Sequence, residues 1–543
     1  MSKRNIIIIV VLLLIAGGLV TWNVYKRKIV KDSVAKTVSD KTNNLYGIQT
    51  DKLDIDEVAG NLTVTNLRLA PDSNVYNAMA RGNAAPSVLV KIEIPSLTVA
   101  GVKTPKALLN STVDGRKVVI QSPRIELFFT GKGKDSLMSV PDKEVYRQIL
   151  GNLNLIKIDT VSVVNATLIT RDWKSGDTRM QFDSVSIDLF RIAVDSVHDK
   201  DSTRILFAEQ ALVSCKKVHW TSQDKLYHYE VRDIHLNSGE KKLGIHRFAI
   251  DPMLPEQRFL QQFKYANDRF DIDLQEIELA NLNVPLLVQG QVEADALVSG
   301  KSSIRIYRDL SYPHDKKSRI GTYPQQVLMK LPFDLAIGKV HFDHSFIEYK
   351  ERNGKSEKSG KVQFFEVAIR VNNLTSHRQR LADNPMQVQF NARFLNKAPV
   401  KALIHFYPDN GKFTIEGEMG RMSAKGVNEL TEPMGLAKIE TGTITSLHFN
   451  FTGNDRVADG HLTVLYDDLK ISLLKKDSVD KSLDKKKFAS LLANMQVKNA
   501  NPGKNDEVRR ARVHYDRDIH KSFFNLVWKS IFTGVKECVG IGN

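Results

Sequence analysis

The chain has 543 residues, and 78 Lys and Arg against 62 Asp and Glu give a formal net charge of +16. An excess of that size suits an acidic partner, nucleic acid or anionic lipid. No basic run carries interleaved aromatics at a spacing suited to stacking single-stranded bases, so no nucleic-acid partner is expected. The two cysteines, Cys215 and Cys538, exclude a disulfide-rich scaffold and a four-cysteine zinc site.

Ile6 to Val20 is an unbroken apolar run, and Trp22, Val24 and Tyr25 extend it to about 20 residues, enough to cross a bilayer core of roughly 30 Å. A cleaved signal peptide would end in a small-x-small site, whereas this run ends in Thr21-Trp22-Asn23-Val24-Tyr25. Trp22 and Tyr25 stand where interfacial aromatics belong, so residues 1–28 are read as a retained membrane anchor. Lys3 and Arg4 flank one end, while Lys26, Arg27, Lys28 and Lys31 crowd the other. By that local count the positive-inside rule puts the bulk of the chain in the cytoplasm. Val30, Val34 and Val38 then recur at helical spacing, which predicts a juxtamembrane helix over 29–45.

Residues 46–474 follow strand grammar. Met386, Val388, Phe390, Ala392 and Phe394 alternate with Gln387, Gln389, Asn391 and Arg393; Ala402, Ile404 and Phe406 follow, and then Leu447, Phe449 and Phe451. Period-two alternation gives one apolar and one wet face. Hairpin turns are expected at Gly60, Asp114-Gly115, Asn353-Gly354, Asn410-Gly411 and Asp459-Gly460. Helical stretches near 142–151, 255–265 and 425–431 are too short to cover such a sheet. The apolar face must then close on itself or stay open to a ligand. Weak internal similarity links 108–127 and 149–170, with no strict period. The expected fold is mainly β: an N-terminal transmembrane helix, a long, curled, groove-like antiparallel β-sheet with few short helices, and a C-terminal amphipathic helix.

Residues 475–518 read as a charged linker with a short helix. In the last segment, 519–538, Phe524, Val527, Trp528, Ile531, Phe532 and Val535 recur at helical spacing, with Lys521, Asn525, Lys529 and Lys536 on the other side. An amphipathic helix with aromatic bulk and a basic face lies in a membrane interface; the alternative is that it caps the sheet as core.

Chemistry-bearing motifs are few. Gly300-Lys301-Ser302 and Gly354-Lys355-Ser356 end like phosphate loops, but Asp295 and Tyr349 occupy the place of the first glycine. His341-Phe342-Asp343-His344 offers two metal ligands on one strand face without a third. There is no G-x-S-x-G serine and no H-E-x-x-H helix. No enzyme, cofactor or metal is expected.

Three places resemble the AsmA-like family of the Gram-negative envelope. The first runs from Gly60 through Leu62, Val64, Asn66, Leu67 and Leu69 to Ile94-Pro95-Ser96-Leu97, Val99 and Gly101-Val102, then Leu108-Leu109 and Val118 to Leu127. The second is Gly442 to Gly453, continuing from Gly460 to Tyr466; the third is the closing aromatic helix. The resemblance implies an inner-membrane anchor with the bulk of the chain in the periplasm, which conflicts with the local charges around the anchor. It also implies a β-groove related to the bridge-like lipid transfer proteins, and a role in phospholipid transport between inner and outer membrane or in outer-membrane homeostasis. About 25 strands spaced ~4.8 Å apart would reach on the order of 100 Å, short for a complete bridge.

The residues and the resemblance together point to a groove that shields acyl chains, lined by Phe390, Phe394, Ile404, Phe406, Phe449 and Phe451. The expected partners are phospholipid or another anionic lipid, the inner membrane, and envelope or outer-membrane proteins. The alternative is a non-transporting structural or regulatory scaffold with a closed β core and a partner-docking C-terminal helix.

Overall fold

The computed structural model describes residues 38–40, 42–56, 58–82, 84–102, 112–131, 150, 154–352, 359–433, 438–472, 497–503 and 507–540. The expected anchor lies outside them, as do the Asn353-Gly354 turn, nearly all of the 142–151 helix, and most of the juxtamembrane helix and charged linker. Among the described residues, no helix is long and apolar enough to cross a membrane. The chain is mainly β, with 58% in strands and 14% in helices. It divides into two compact units, Met1–Phe248 with Glu278–Gln291, and Ala249–Ile277 with Val292–Asn543.

In the first unit the strands are β1 (Tyr46–Gln49), β2 (Lys52–Asp56), β3 (Asn61–Pro71), β4 (Val88–Ala100), β5 (Thr112–Gln121), β6 (Arg124–Phe129), β7 (Leu155–Asp172), β8 (Thr178–Val194), β9 (Gln210–Thr221) and β10 (Tyr227–Asn237). β5 and β6 are two halves of one broken strand. Both pair antiparallel with β4 and parallel with β7, and β7 to β10 continue antiparallel. The sheet is therefore mixed, where alternation alone suggested an antiparallel meander. Helix α1 (Ser73–Arg81) is capped by Asp72, whose Oδ1 accepts from Asn74 N at 2.7 Å and Val75 N at 3.2 Å. Its Tyr76 is buried with Leu45 and Leu89 and packs edge-on against Trp173.

Strands β11 (Lys242–Pro252) and β12 (Asp268–Ala280) straddle the division of the chain. The second unit continues with β13 (Val292–Ser299), β14 (Ser303–Asp309), β15 (Leu335–Arg352), β16 (Ser359–Thr375), β17 (Met386–Phe394), β18 (Ala398–Phe406), β19 (Phe413–Met419), β20 (Met422–Ser423), β21 (Lys438–Gly453), β22 (Val457–Ser472) and β23 (Ala511–Asp516). Its short helices are α2 (Glu256–Leu260), α4 (Pro324–Leu328), α5 (Arg378–Asp383) and α6 (Asn428–Thr431), while α3 (Val284–Val288) belongs to the first unit; α7 (Phe523–Cys538) closes the chain. β23 falls within the stretch read as linker.

The second unit repeats the plan of the first. β13 and β14 form a broken strand parallel to β15, β14 runs antiparallel to β12, and β15 to β17 continue antiparallel. The bulges recur too. Asn165 in β7 and His344 in β15 take left-handed backbone at register breaks, as do Ser184 in β8 and Glu366 in β16. Arg191 in β8 and Asn373 in β16 share that backbone within an unbroken register. The sequence hinted at repetition, but between shorter segments than these.

Two expected turns are strand interior instead. Gly115 lies within β5 opposite Ile158, and Gly460 lies within β22, where a Cβ would meet Asn450 O at 2.0 Å and Phe451 Cδ1 at 2.8 Å. The glycine there serves close packing across strands rather than chain reversal. The neighbouring turn is made by Asn454, whose Oδ1 accepts from Arg456 N at 2.7 Å. Gly60 and Asn410-Gly411 do form turns, with positive φ throughout.

Candidate functional site

Residues directly opposite one another on paired strands share a face, so the ladders assemble long apolar rows. In the second unit one row runs Ile369, Phe390, Ala402, Gly417, Phe449, Leu462, Ala511 from β16 to β23. The next runs Val371, Val388, Ile404, Ile415, Phe451, Gly460, Val513, and a third runs Met386, Phe406, Phe413, Gly453, Ala458, Tyr515. The alternate rows are mostly polar, as in Gln389, Leu403, Glu416, Asn450, His461, Arg512, and all of these but Arg512 line an open depression of about 680 Å³.

Cover over the apolar face is uneven. Phe523, Leu526, Ser530, Gly534 and Cys538 of α7 are buried. A Cβ on Gly534 would meet Leu462 Cβ at 2.7 Å and Val513 Cγ2 at 2.9 Å, so the glycine lets the helix backbone sit directly on β22 and β23. Phe523 packs with Tyr323, Phe406 and Phe413, ring centroids 4.9 to 5.2 Å apart. Ser522 caps the helix, its Oγ accepting from Asn525 N at 3.3 Å. Beneath this seat Phe451 is 0% and Phe406 2% exposed.

On β16 to β18 the first two rows are only half-buried, at Ile369, Val371, Val388, Phe390, Ala402 and Ile404, with Val371, Val388 and Ile404 packed against the core cluster, whereas the third stays buried at Met386 and Phe406. Phe390 packs edge-on against Phe364, 5.3 Å between centroids, and Phe394, 8% exposed, belongs to a small core with Leu395, Ala398 and Met422. Phe449 lies over Gly417 and stacks on Phe451. Of the six groove candidates, Phe394, Phe406 and Phe451 are thus buried, and Phe390, Ile404 and Phe449 remain half-buried.

One edge of this face is charged. Across β12, β14 and β15 the row is Asp268, Arg308, Glu351. Arg308 Nη1 donates to Asp268 Oδ1 at 2.9 Å, and Tyr349 OH donates to Glu351 Oε2 at 2.8 Å. Burial, with the Glu351 carboxylate beside it, pushes the Tyr349 phenol well above its usual range. None of this was legible locally, because the row is assembled from strands distant in sequence.

The first unit shows the same gradient. The row Leu62, Val99, Val118, Val161, Leu189, Ala211 is buried throughout. The next row begins buried at Val64, Leu97 and Ile120 and becomes half-buried at Val163, Ile187, Val213 and Leu236. A third runs Leu168, Phe182, Val218, Val231, half-buried except at Val218, which is buried. On the wet face, buried Glu230 meets Arg232, Arg247 and Lys217 at 2.6, 3.1 and 3.4 Å. Burial alone would raise its carboxyl, but the guanidinium of Arg232 and the Lys217 ammonium hold it below the usual range.

The terminal-helix residues divide. Val527, Ile531 and Val535 pack against the core, whereas Phe524 is 70% and Trp528 40% exposed. Phe532 lies under the ammonium groups of Lys529 and Lys536, 6.0 and 5.7 Å from its ring. Sequence reading took these as one stripe and missed the inward stripe at Phe523, Leu526, Ser530, Gly534 and Cys538, because small and polar members dilute its hydrophobic signal. Also missed was the node that fixes the helix start. Arg517, its side chain 1% exposed, bonds Asp455 Oδ1 at 3.1 Å and Lys521 O at 3.0 Å and lies 4.4 Å from the Tyr323 ring. Among the described residues, no group of three or more His, Cys, Asp or Glu could hold a metal ion.

No protein-family model and no curated protein matches the chain.

Proposed function

We infer that this chain is a membrane-anchored envelope protein that shields lipid acyl chains against its apolar sheet faces. It thereby contributes to phospholipid transport between inner and outer membrane or to outer-membrane homeostasis. The observation that carries the reading is the burial gradient: within each unit, apolar rows that are sealed at one end continue as half-buried residues at the other. An apolar surface of that extent is normally occupied. Each acyl CH₂ buried there contributes about 0.8 kcal/mol, so a two-chain lipid needs no specific contact to be held, and sliding between equivalent rows costs little. The charged row of Asp268, Arg308 and Glu351 supports the reading, since it offers a polar rim beside which a head group stays hydrated. No residue has a catalytic role in this account. The anchor holds the chain in the inner membrane with its bulk in the periplasm.

A photo-crosslinking side chain at Phe390 or Ile187 tests the reading in cells. Capture of phospholipid at these half-buried positions, and not at buried Val161, supports it; no lipid at any of them contradicts it. A second reading, a non-transporting scaffold with a closed core, draws on the sealed portion beneath α7. It predicts that Phe390 captures only protein or nothing.

A further inference from the structure

Helix α7 carries two apolar stripes, and the sheet uses only one. Its inward stripe is buried on the core. Outside that seat Phe524, Trp528 and Phe532 recur every fourth residue; Phe524, at 70%, is the most exposed large apolar side chain among the described residues of the second unit, and Trp528 is 40% exposed. Lys529 and Lys536 flank Phe532, while Glu537 is the one acidic residue from Phe523 to Cys538. Ile320 and Val327, 40% and 48% exposed, lie on the segment that Arg319 N ties to Ile519 O at 2.7 Å, just before the helix.

Because the helix is already held by its inward stripe and by the Arg517 node, exposing Phe524 and Trp528 beyond it, with half-buried Phe532 beside them, adds nothing to folding. Aromatic rings alternating with lysines match a bilayer interface, where rings sit at head-group depth and ammonium groups meet lipid phosphates. We propose that the outward stripe of α7, Phe524, Trp528 and Phe532 with Lys529 and Lys536, docks the second unit onto an anionic membrane surface. The proposal is independent of whether the sheet faces carry lipid.

The test uses the full chain in phosphatidylcholine nanodiscs, with a nitroxide at Phe524→Cys, Trp528→Cys or, as a control on the same helix, Glu537→Cys. Cys215 and Cys538 are buried, and the unsubstituted chain reports any labelling there. Vesicles of phosphatidylcholine with phosphatidylglycerol, or of phosphatidylcholine alone, are added. With anionic vesicles, nitroxides at 524 and 528 gain access to oxygen and lose access to a water-soluble nickel complex; with phosphatidylcholine alone, and at 537, they do not change. The double variant Lys529→Glu/Lys536→Glu, at one exposed and one half-buried lysine, leaves the inward stripe intact and loses the response. Unchanged nickel access overturns the proposal, as does an equal response to both vesicle types. So does a label shielded from both probes without vesicles, which would mean a second copy or a protein covers the stripe.

Discussion

Phe449 lies flat over Gly417 on the adjacent strand: a Cβ on the glycine would stand 2.3 Å from the ring's Cζ. The ring fills the gap left by the missing side chain, and the same pairing recurs where Phe413 covers Gly453. The apolar face is therefore paved, with aromatics lying along it rather than standing off it. Gly417→Ala must tilt Phe449 away from Phe451. The expected cost is about 1–3 kcal/mol, as for other overpacked sites, seen as a lower melting temperature, and the double variant Gly417→Ala/Phe449→Ala recovers part of it.

The burial gradient separates two substitutions of identical chemistry. Phe451→Glu places a charge where nothing is exposed, and the second unit should fail to fold. Phe390→Glu alters a half-buried ring, and the chain should keep its far-UV circular dichroism while losing bound lipid. Equal damage from both changes would mean that the face around Phe390 is packed core.

The seat of α7 depends on Arg517. Its guanidinium is buried against Asp455, and Gln326 Nε2 donates to the other carboxylate oxygen at 2.7 Å. Removing one partner strands a buried charge, so Asp455→Ala should cost about 3–5 kcal/mol. Urea unfolding followed by Trp528 fluorescence should show the loss, with Arg517→Met/Asp455→Leu less damaging than either single change.

Glu230 gives the first unit an acid-sensitive contact. Its folded pKa is depressed below the ordinary value of 4.5, so the stabilisation is present above that pH and is lost as pH falls through the folded value. Glu230→Gln should cost about 1.5–3 kcal/mol, the worth of a hydrogen bond to a charged group. It should also flatten the fall in melting temperature with acid relative to the parent chain.

Alternation in single strands was enough to read a mainly β chain and to mark which residues share the apolar face: Phe390, Ile404 and Phe449 do lie on one. It could not show the parallel pairing of β5 and β6 with β7, because that contact joins strands whose order in the sheet differs from their order in the chain. Nor could it tell turn glycines from packing glycines. Asn410-Gly411 and Asp459-Gly460 look alike in sequence, and only the second lies beneath a neighbouring ring. Helix α1 went unread because it is only nine residues long, its apolar members include no large aliphatic side chain beyond Val75 and Met79, and its one buried side chain, Tyr76, finds its partner at Trp173. In α7, period 3.6 found the helix but not its phase, since the buried stripe includes Ser530 and Gly534.

The central claim, that an apolar sheet face is open to lipid, is tested most directly by native mass spectrometry of residues 46–543. This span retains β23 and α7, which seal the core at Leu462 and Val513. The account predicts phospholipid adducts on the parent chain and none on a folded Phe390→Glu variant. A stable, folded chain that flies without lipid would contradict it.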